Sequence, residues 1–152
     1  MNDTVNDTAT NTFMLYQHPD ALAVVRLGAG ADVPGWARAS TLFSVTATAN
    51  ETSIICHAST VPRKARREGP FVAFEVAGPL PFDQVGVLHT LLGPLAAAGI
   101  SIVTQSTYDT DWILVPAAQA EEAATAWSAA GHSVTEPPKP VKEPKQDKEN
   151  AK

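Results

Sequence analysis

Two aspartates at positions 109 and 111 come nearest to a chemical motif in this chain. A pair of carboxylates can divide general acid and general base work, one holding the proton that the other lacks. Such work also requires a nucleophile, a glycine-rich phosphate loop or a metal cluster, and none lies beside Asp109 and Asp111. The four histidines, His18, His57, His89 and His132, are scattered, with none at metal-ligand spacing from another. His89 lies between Leu88 and Leu91 and reads as a surface or helix-packing residue. The single cysteine, Cys56, ends an apolar run and reads as a small buried hydrophobe, with no second thiol for a disulfide or a zinc pair. No catalytic residue, metal site or cofactor is expected, and the chain reads as non-enzymatic. The two aspartates are then either a polar turn tip or a fixed negative charge for holding a cation.

The elements that position them can be read from the stretch Gly99 to Pro116. Ile100–Thr107 is rich in β-branched residues and Trp112–Val115 is apolar, so both read as strands. Tyr108, Asp109, Thr110 and Asp111 form the turn of an antiparallel hairpin. Upstream, Phe71–Val76 reads as a strand, GPLPF as a rigid loop, and Asp83 as the N-cap of a helix beginning near Gln84. Val85, Leu88, Leu91, Leu92 and Leu95 mark its buried face, Pro94 is expected to kink it near its last turn, and Gly99 ends it. Downstream, Pro116 opens a second helix with Glu121 and Glu122 near its positive end and Ala120, Ala123, Ala124, Trp127 and Ala130 as its packing face. Gly131 stops it, and His132–Thr135 is a last strand. The order β, α, β, β, α, β places both helices on one face of an antiparallel sheet.

The first half reads as a reduced version of this unit. Ala21–Leu27 is a strand, the glycine-rich GAGADVPG a connection, and Pro34–Arg38 one helical turn anchored by Trp36. Leu42–Thr48 and Thr52–Cys56 form a second hairpin. At an offset of 58, Val45, Thr46, Thr52 and Ile55 fall on Val103, Thr104, Thr110 and Ile113, which reads as a duplication. Four domains of sequence follow: a polar tail at 1–12, a reduced half at 13–70, a complete unit at 71–135, and a Pro/Lys/Glu-rich tail at 136–152. Both tails are expected to be disordered.

Charge and hydropathy narrow the partners. Residues 13–135 hold six Lys or Arg and ten Asp or Glu, 6 − 10 = −4. Four of the basic residues form the run Arg63, Lys64, Arg66 and Arg67, which has no interleaved aromatics and reads as a solvated loop or strand approach, so no nucleic-acid partner is expected. No apolar run approaches the roughly 20 residues that cross a bilayer. The polar start resembles no signal peptide, so a cytoplasmic protein without membrane contact is expected.

The segments LFSVTATANETSIIC, FVAFEVAGPLPF and AAAGISIVTQSTYDTDWILV resemble small bacterial ACT-domain proteins built as two ACT-like halves, a family related to the animal cytosolic arginine sensor. The resemblance implies a tandem ACT-like, ferredoxin-like α+β fold. It also implies binding of an amino acid or similar effector between ACT units, in a regulatory role and commonly in a homodimer. Ser44 and Val45 in the first half, and Thr107, Tyr108 and Asp111 in the second, match the family's ligand-contact positions. Beside this resemblance stands a physical reading. The loop through Gly78, Pro79 and Leu80 leads to a helix N-terminus whose free N–H groups suit a carboxylate, while Asp111 suits an ammonium. The thin helical cover of the first half predicts a bare sheet face and open edges that seek a partner. A protein–protein interaction module pairing with a biosynthetic enzyme, its ligand site vestigial, is the alternative.

Overall fold

The computed structural model describes residues 11–140, so residues 1–10 and 141–152 of the expected tails lie outside the described residues. Seven strands form one sheet: β1 (Met14–Gly28), β2 (Ser44–Ala47), β3 (Glu51–His57), β4 (Arg67–Val76), β5 (Val103–Ser106), β6 (Asp111–Pro116) and β7 (Ser133–Thr135). Two helices among the described residues, α1 (Val87–Ala97) and α2 (Ala120–Ala129), accompany them. The sheet order is β2-β3-β1-β4-β6-β5, and β7 runs parallel to the start of β1. From β4 onward the chain has the expected ferredoxin-like α+β order. No helix among the described residues is long and apolar enough to cross a membrane.

Alternation along the strands sorts the core into layers, because successive side chains point to opposite faces. Phe74 and Val76 from β4, and Ile113 and Val115 from β6, pack under Val87, Leu91 and Leu95 of α1 and Ala120, Ala123 and Trp127 of α2. Trp127 is fully buried, and its indole N–H donates to the Leu91 carbonyl at 2.8 Å, so its burial leaves no polar atom unpaired. Its ring meets Phe74 edge-on with centroids 4.8 Å apart.

On the other face, Leu22, Ile55, Ala73, Trp112 and Leu114 cluster with Leu42. The sheet curls around them until its two edge strands meet, and Ser44 Oγ on β2 donates to Gln105 Oε1 on β5 at 3.1 Å. In the first half, Val25, Ile54 and Cys56 are covered by Val61, Trp36 and Ala65 from the connecting segments. The expected bare face is therefore absent, since curling and loops replace the missing helix. Burial also raises the Cys56 thiol pKa.

Several boundaries differ from the sequence reading. β1 is far longer than Ala21–Leu27, because a bulge between Gln17 and Ala21 lets it continue along β4. Pro34–Ala37 closes a single turn and no helix. Asp83 does not cap α1: Pro81–Gln84 is a tight turn, and Gly86 at φ 87° redirects the chain, which leaves Val85 87% exposed and gives its core place to Val87. Pro116 ends β6, and a 3-10 turn over Ala117–Gln119 precedes α2. β5 begins at Val103, and Asp111 is the first residue of β6. Ala130 lies outside α2 and is exposed.

Both helices end alike. Gly99 and Gly131 take positive φ, at 72° and 92°. Their N–H groups bond to Ala96 and Ser128, and the next residues, Ile100 and His132, bond back to Leu95 and Trp127. This double closure satisfies the last carbonyls and turns each chain toward its strand.

The two hairpins correspond at an offset of 59. Ser44↔Ile55 and Ala47↔Thr52 match Val103↔Leu114 and Ser106↔Asp111. Thr48 and Thr107 play the same part, each N–H donating at 2.8 Å to the carbonyl three residues on, Glu51 or Thr110. The offset of 58 was one residue out, which would put every side chain on the wrong face.

Candidate functional site

Register places the site. Asp111 lies opposite Ser106, whose Oγ donates to Asp111 Oδ1 at 2.7 Å. That bond orients the carboxylate through one of its two oxygens. The turn between them is held from within, Thr107 Oγ1 donating to the Thr110 carbonyl at 3.0 Å. It is also held from behind, where the buried Thr110 hydroxyl donates to the Val76 carbonyl. The β4–α1 loop closes against it, Leu80 N–H donating to the Asp109 carbonyl at 2.8 Å. Gly78 permits this approach: a Cβ there would lie 3.0 Å from both the Asp109 oxygen and the Leu80 nitrogen.

Loop and turn together enclose a pocket of roughly 250 Å³. Leu80, Pro81, Phe82 and Gln84 form one wall, Ser106 to Asp111 the other, and Val87 the floor. Phe82 and Tyr108 flank the mouth with ring centroids 5.9 Å apart, both 85% exposed. Gly86, the residue before α1, offers no side-chain cap, and the first intrahelical bond runs from Thr90 N–H to Gly86. The N–H groups of Val87, Leu88 and His89 thus have no intrahelical acceptor, at the positive end of the helix dipole.

The structure thus brings Leu80, Thr107, Tyr108 and Asp111 to one pocket, with Gly78 and Pro79 leading into its wall. It does not bring Ser44 and Val45 there. Both are on the far edge strand; Ser44 meets β5 on the face opposite Asp111, and Val45 is 42% exposed. Ser106 and Phe82 were not singled out from the sequence. Ser106 would have been legible from the hairpin register, being the cross-strand partner of Asp111.

A wider cleft of about 660 Å³ lies between the β1 bulge and β7, lined by Gln17, His18, Pro19, Val134 and Thr135 among others. His18 is buried there, with Nε2 2.8 Å from Glu75 Oε2 and its ring 5.0 Å from that of Trp112. Nearby, His132 Nδ1 accepts from Phe13 N–H at 3.1 Å, and burial holds its pKa below the usual histidine value. On the other side of the bulge, Asp20 accepts from Ser40 and Thr41, and the Ser40 bond is the main cause of its lowered pKa. Among the described residues no group of three or more metal-ligating side chains converges.

A curled sheet under two helices, with a pocket where the hairpin turn meets the start of α1, defines an ACT-like protein. The family model described as ACT domain matches residues 66–127, and a second model, described as an N-terminal domain, matches residues 20–64. A protein of Agobacterium tumefaciens solved in a structural genomics programme is 31% identical, with a TM-score of 0.77 over 84% of this chain and 95% of that one. The chain belongs to the same family as that protein. A Vibrio cholerae protein of unknown function, described as a possible transport protein, is 15% identical, with a TM-score of 0.63 over 80% and 91% of the two chains. The regulatory subunit of aspartate kinase from Thermus flavus is 12% identical, with a TM-score of 0.56 over 77% and 96%. These two share the fold. The comparison with curated proteins gives no match.

Proposed function

We propose that the protein is a non-catalytic cytoplasmic sensor or regulatory protein that binds an amino acid or similar small effector between ACT units. The observation that carries this reading is the pocket itself, in which the oriented Asp111 carboxylate shares one cavity with the uncapped start of α1. A free amino acid presents an ammonium and a carboxylate on one carbon, and these two features complement it. The corresponding hairpins support a reduced ACT-like half, 13–70, followed by an ACT domain, 71–135. Ser44 and Val45 lie outside the pocket of their own chain, so in this reading a second copy brings them to the effector, in a homodimer.

Thermal-shift screening with the twenty common amino acids tests the reading. A ligand at about 100 times its dissociation constant stabilises the fold by roughly 2.7 kcal/mol. One or a few closely related amino acids should give such a shift. The exposed Phe82 and Tyr108 at the mouth, with Val85 exposed just before α1, favour a second reading, an interaction module pairing with a biosynthetic enzyme. Absence of a shift with every amino acid would leave that reading in place of the first.

A further inference from the structure

We propose that two copies of the chain pair antiparallel, the basic end of each seated on the acidic end of the other. This rests on the homodimer proposed above and adds which surfaces meet and what aligns them. Charge is divided unevenly along the sequence. Residues 13–67 hold six Lys or Arg and three Asp or Glu, 6 − 3 = +3, whereas residues 68–135 hold seven Asp or Glu and no Lys or Arg, giving −7.

The fold gathers part of this division at two ends, while Glu68 follows Arg67 and Glu121 and Glu122 follow Pro116, the strand partner of Phe71, toward the start of β4. Arg63, Lys64 and Arg66 are exposed in the segment before β4, and Arg67 is its first residue. The last residue of β4, Val76, leads through Gly78 and Leu80 to the pocket, where Asp109 and Asp111 lie, with Asp83 exposed beside Phe82. Ten residues at about 3.3 Å each separate the ends by roughly 30 Å. The ion pairs among the described residues are His18–Glu75 and Arg26–Glu51, so among these residues neither the four cations nor the three carboxylates are paired.

A second copy is a partner whose charges match by construction. A two-fold axis across β4 makes the basic-to-acidic contact twice, which closes the assembly at two copies. Phe82, Val85 and Tyr108, 85–87% exposed at the acidic end, supply apolar area. The charges then select orientation and raise the association rate. In this arrangement the basic segment of one copy faces the mouth of its partner's pocket.

Sedimentation of the full chain from 50 to 500 mM NaCl, with amino-acid thermal shifts recorded separately, tests the pairing. Screening at the higher salt should weaken the dimer about tenfold or more. The double variant Arg63→Glu/Lys64→Glu and the double variant Asp83→Lys/Asp109→Lys should each be folded by circular dichroism and largely monomeric. Mixed together, they should form a heterodimer, since one then carries two acidic ends and the other two basic ends. A dimer indifferent to salt and to both variants overturns the charge pairing while leaving self-association standing. A monomer at every concentration overturns both. Species that keep growing beyond two copies overturn the two-fold arrangement. The thermal shifts report on effector binding whichever of these is found.

Discussion

At the scale of single residues, Asp111 and His132 show how context sets the role of a side chain. The carboxylate of Asp111 is oriented before any ligand arrives, by Ser106 Oγ at 2.7 Å, so binding a cation does not first require ordering it. A hydrogen bond to a charged group contributes about 1.5–3 kcal/mol, or about 10- to 150-fold in affinity. Calorimetry with whichever amino acid shifts the melt should show a loss of that size for Asp111→Asn with the melting temperature of the free protein little changed; equal affinity would remove Asp111 from the site. His132 acts on stability instead. Its neutral Nδ1 accepts from Phe13 N–H in a buried position, and burial lowers its pKa from the ordinary 6.5. The unfolded chain therefore takes up this proton first, so the contribution of His132 is complete above about pH 6.5 and is lost as pH falls through the lowered folded value. Melting temperatures from pH 7.5 to pH 5 should fall less steeply for His132→Gln than for the wild type. The Asp109–Asp111 turn was legible because turn-forming residues cluster between two β-rich runs. The part played by His132 was not, because it depends on β1 meeting β7 across 119 positions of sequence.

At the scale of elements, the strands of the second half and both helix stops were legible, since β-branched runs and terminal glycines act locally. The start of α1 was not. Asp83 has the right chemistry for a cap, but the tight turn at Pro81–Gln84 and the left-handed Gly86 delay the helix to Val87. Apolar spacing alone could not separate Val85 from Val87. The offset between hairpins shows the same limit: four identities favoured 58, while the hydrogen-bonded register is 59. The β4–α1 loop and the hairpin turn form one element in practice, and Gly78 is where they touch. Gly78→Ala places a methyl 3.0 Å from the Asp109 carbonyl and the Leu80 nitrogen, both backbone atoms with little room to yield. Overpacking of this kind costs about 1–3 kcal/mol. Denaturant unfolding of Gly78→Ala should show that loss with an unchanged slope, together with weaker effector binding as the Leu80–Asp109 bond is pushed apart. A stability equal to the wild type would mean that the loop relaxes freely and does not define the pocket.

At the scale of the whole molecule, the sequence divides into two halves that the structure interlocks. β1 belongs by order to the first half, yet it lies between β3 and β4 and is the strand partner of β7. Its Leu15 is fully buried in the layer under α1 and α2, Ala77 N–H donates to the Met14 carbonyl at 2.8 Å, and Ser133 N–H donates to Phe13 at 3.0 Å. A fragment of residues 66–140, which contains the whole ACT-domain match, would keep both helices and the candidate pocket. It would lose the neighbour of β4, the support of β7 and the Leu15 side chain. Loss of a buried leucine side chain alone typically costs about 2–5 kcal/mol, a large part of the 5–15 kcal/mol that holds an ordinary domain together. Residues 66–140 alone should therefore show no cooperative thermal transition, whereas residues 11–140 should melt in one step monitored equally by far-ultraviolet circular dichroism and tryptophan fluorescence. Adding residues 11–65 in trans should restore the transition, because β1 can pair with β4 without being covalently joined to it. A cooperative melt of residues 66–140 alone would show that the second half is an autonomous domain and that the long first strand is an accessory to it.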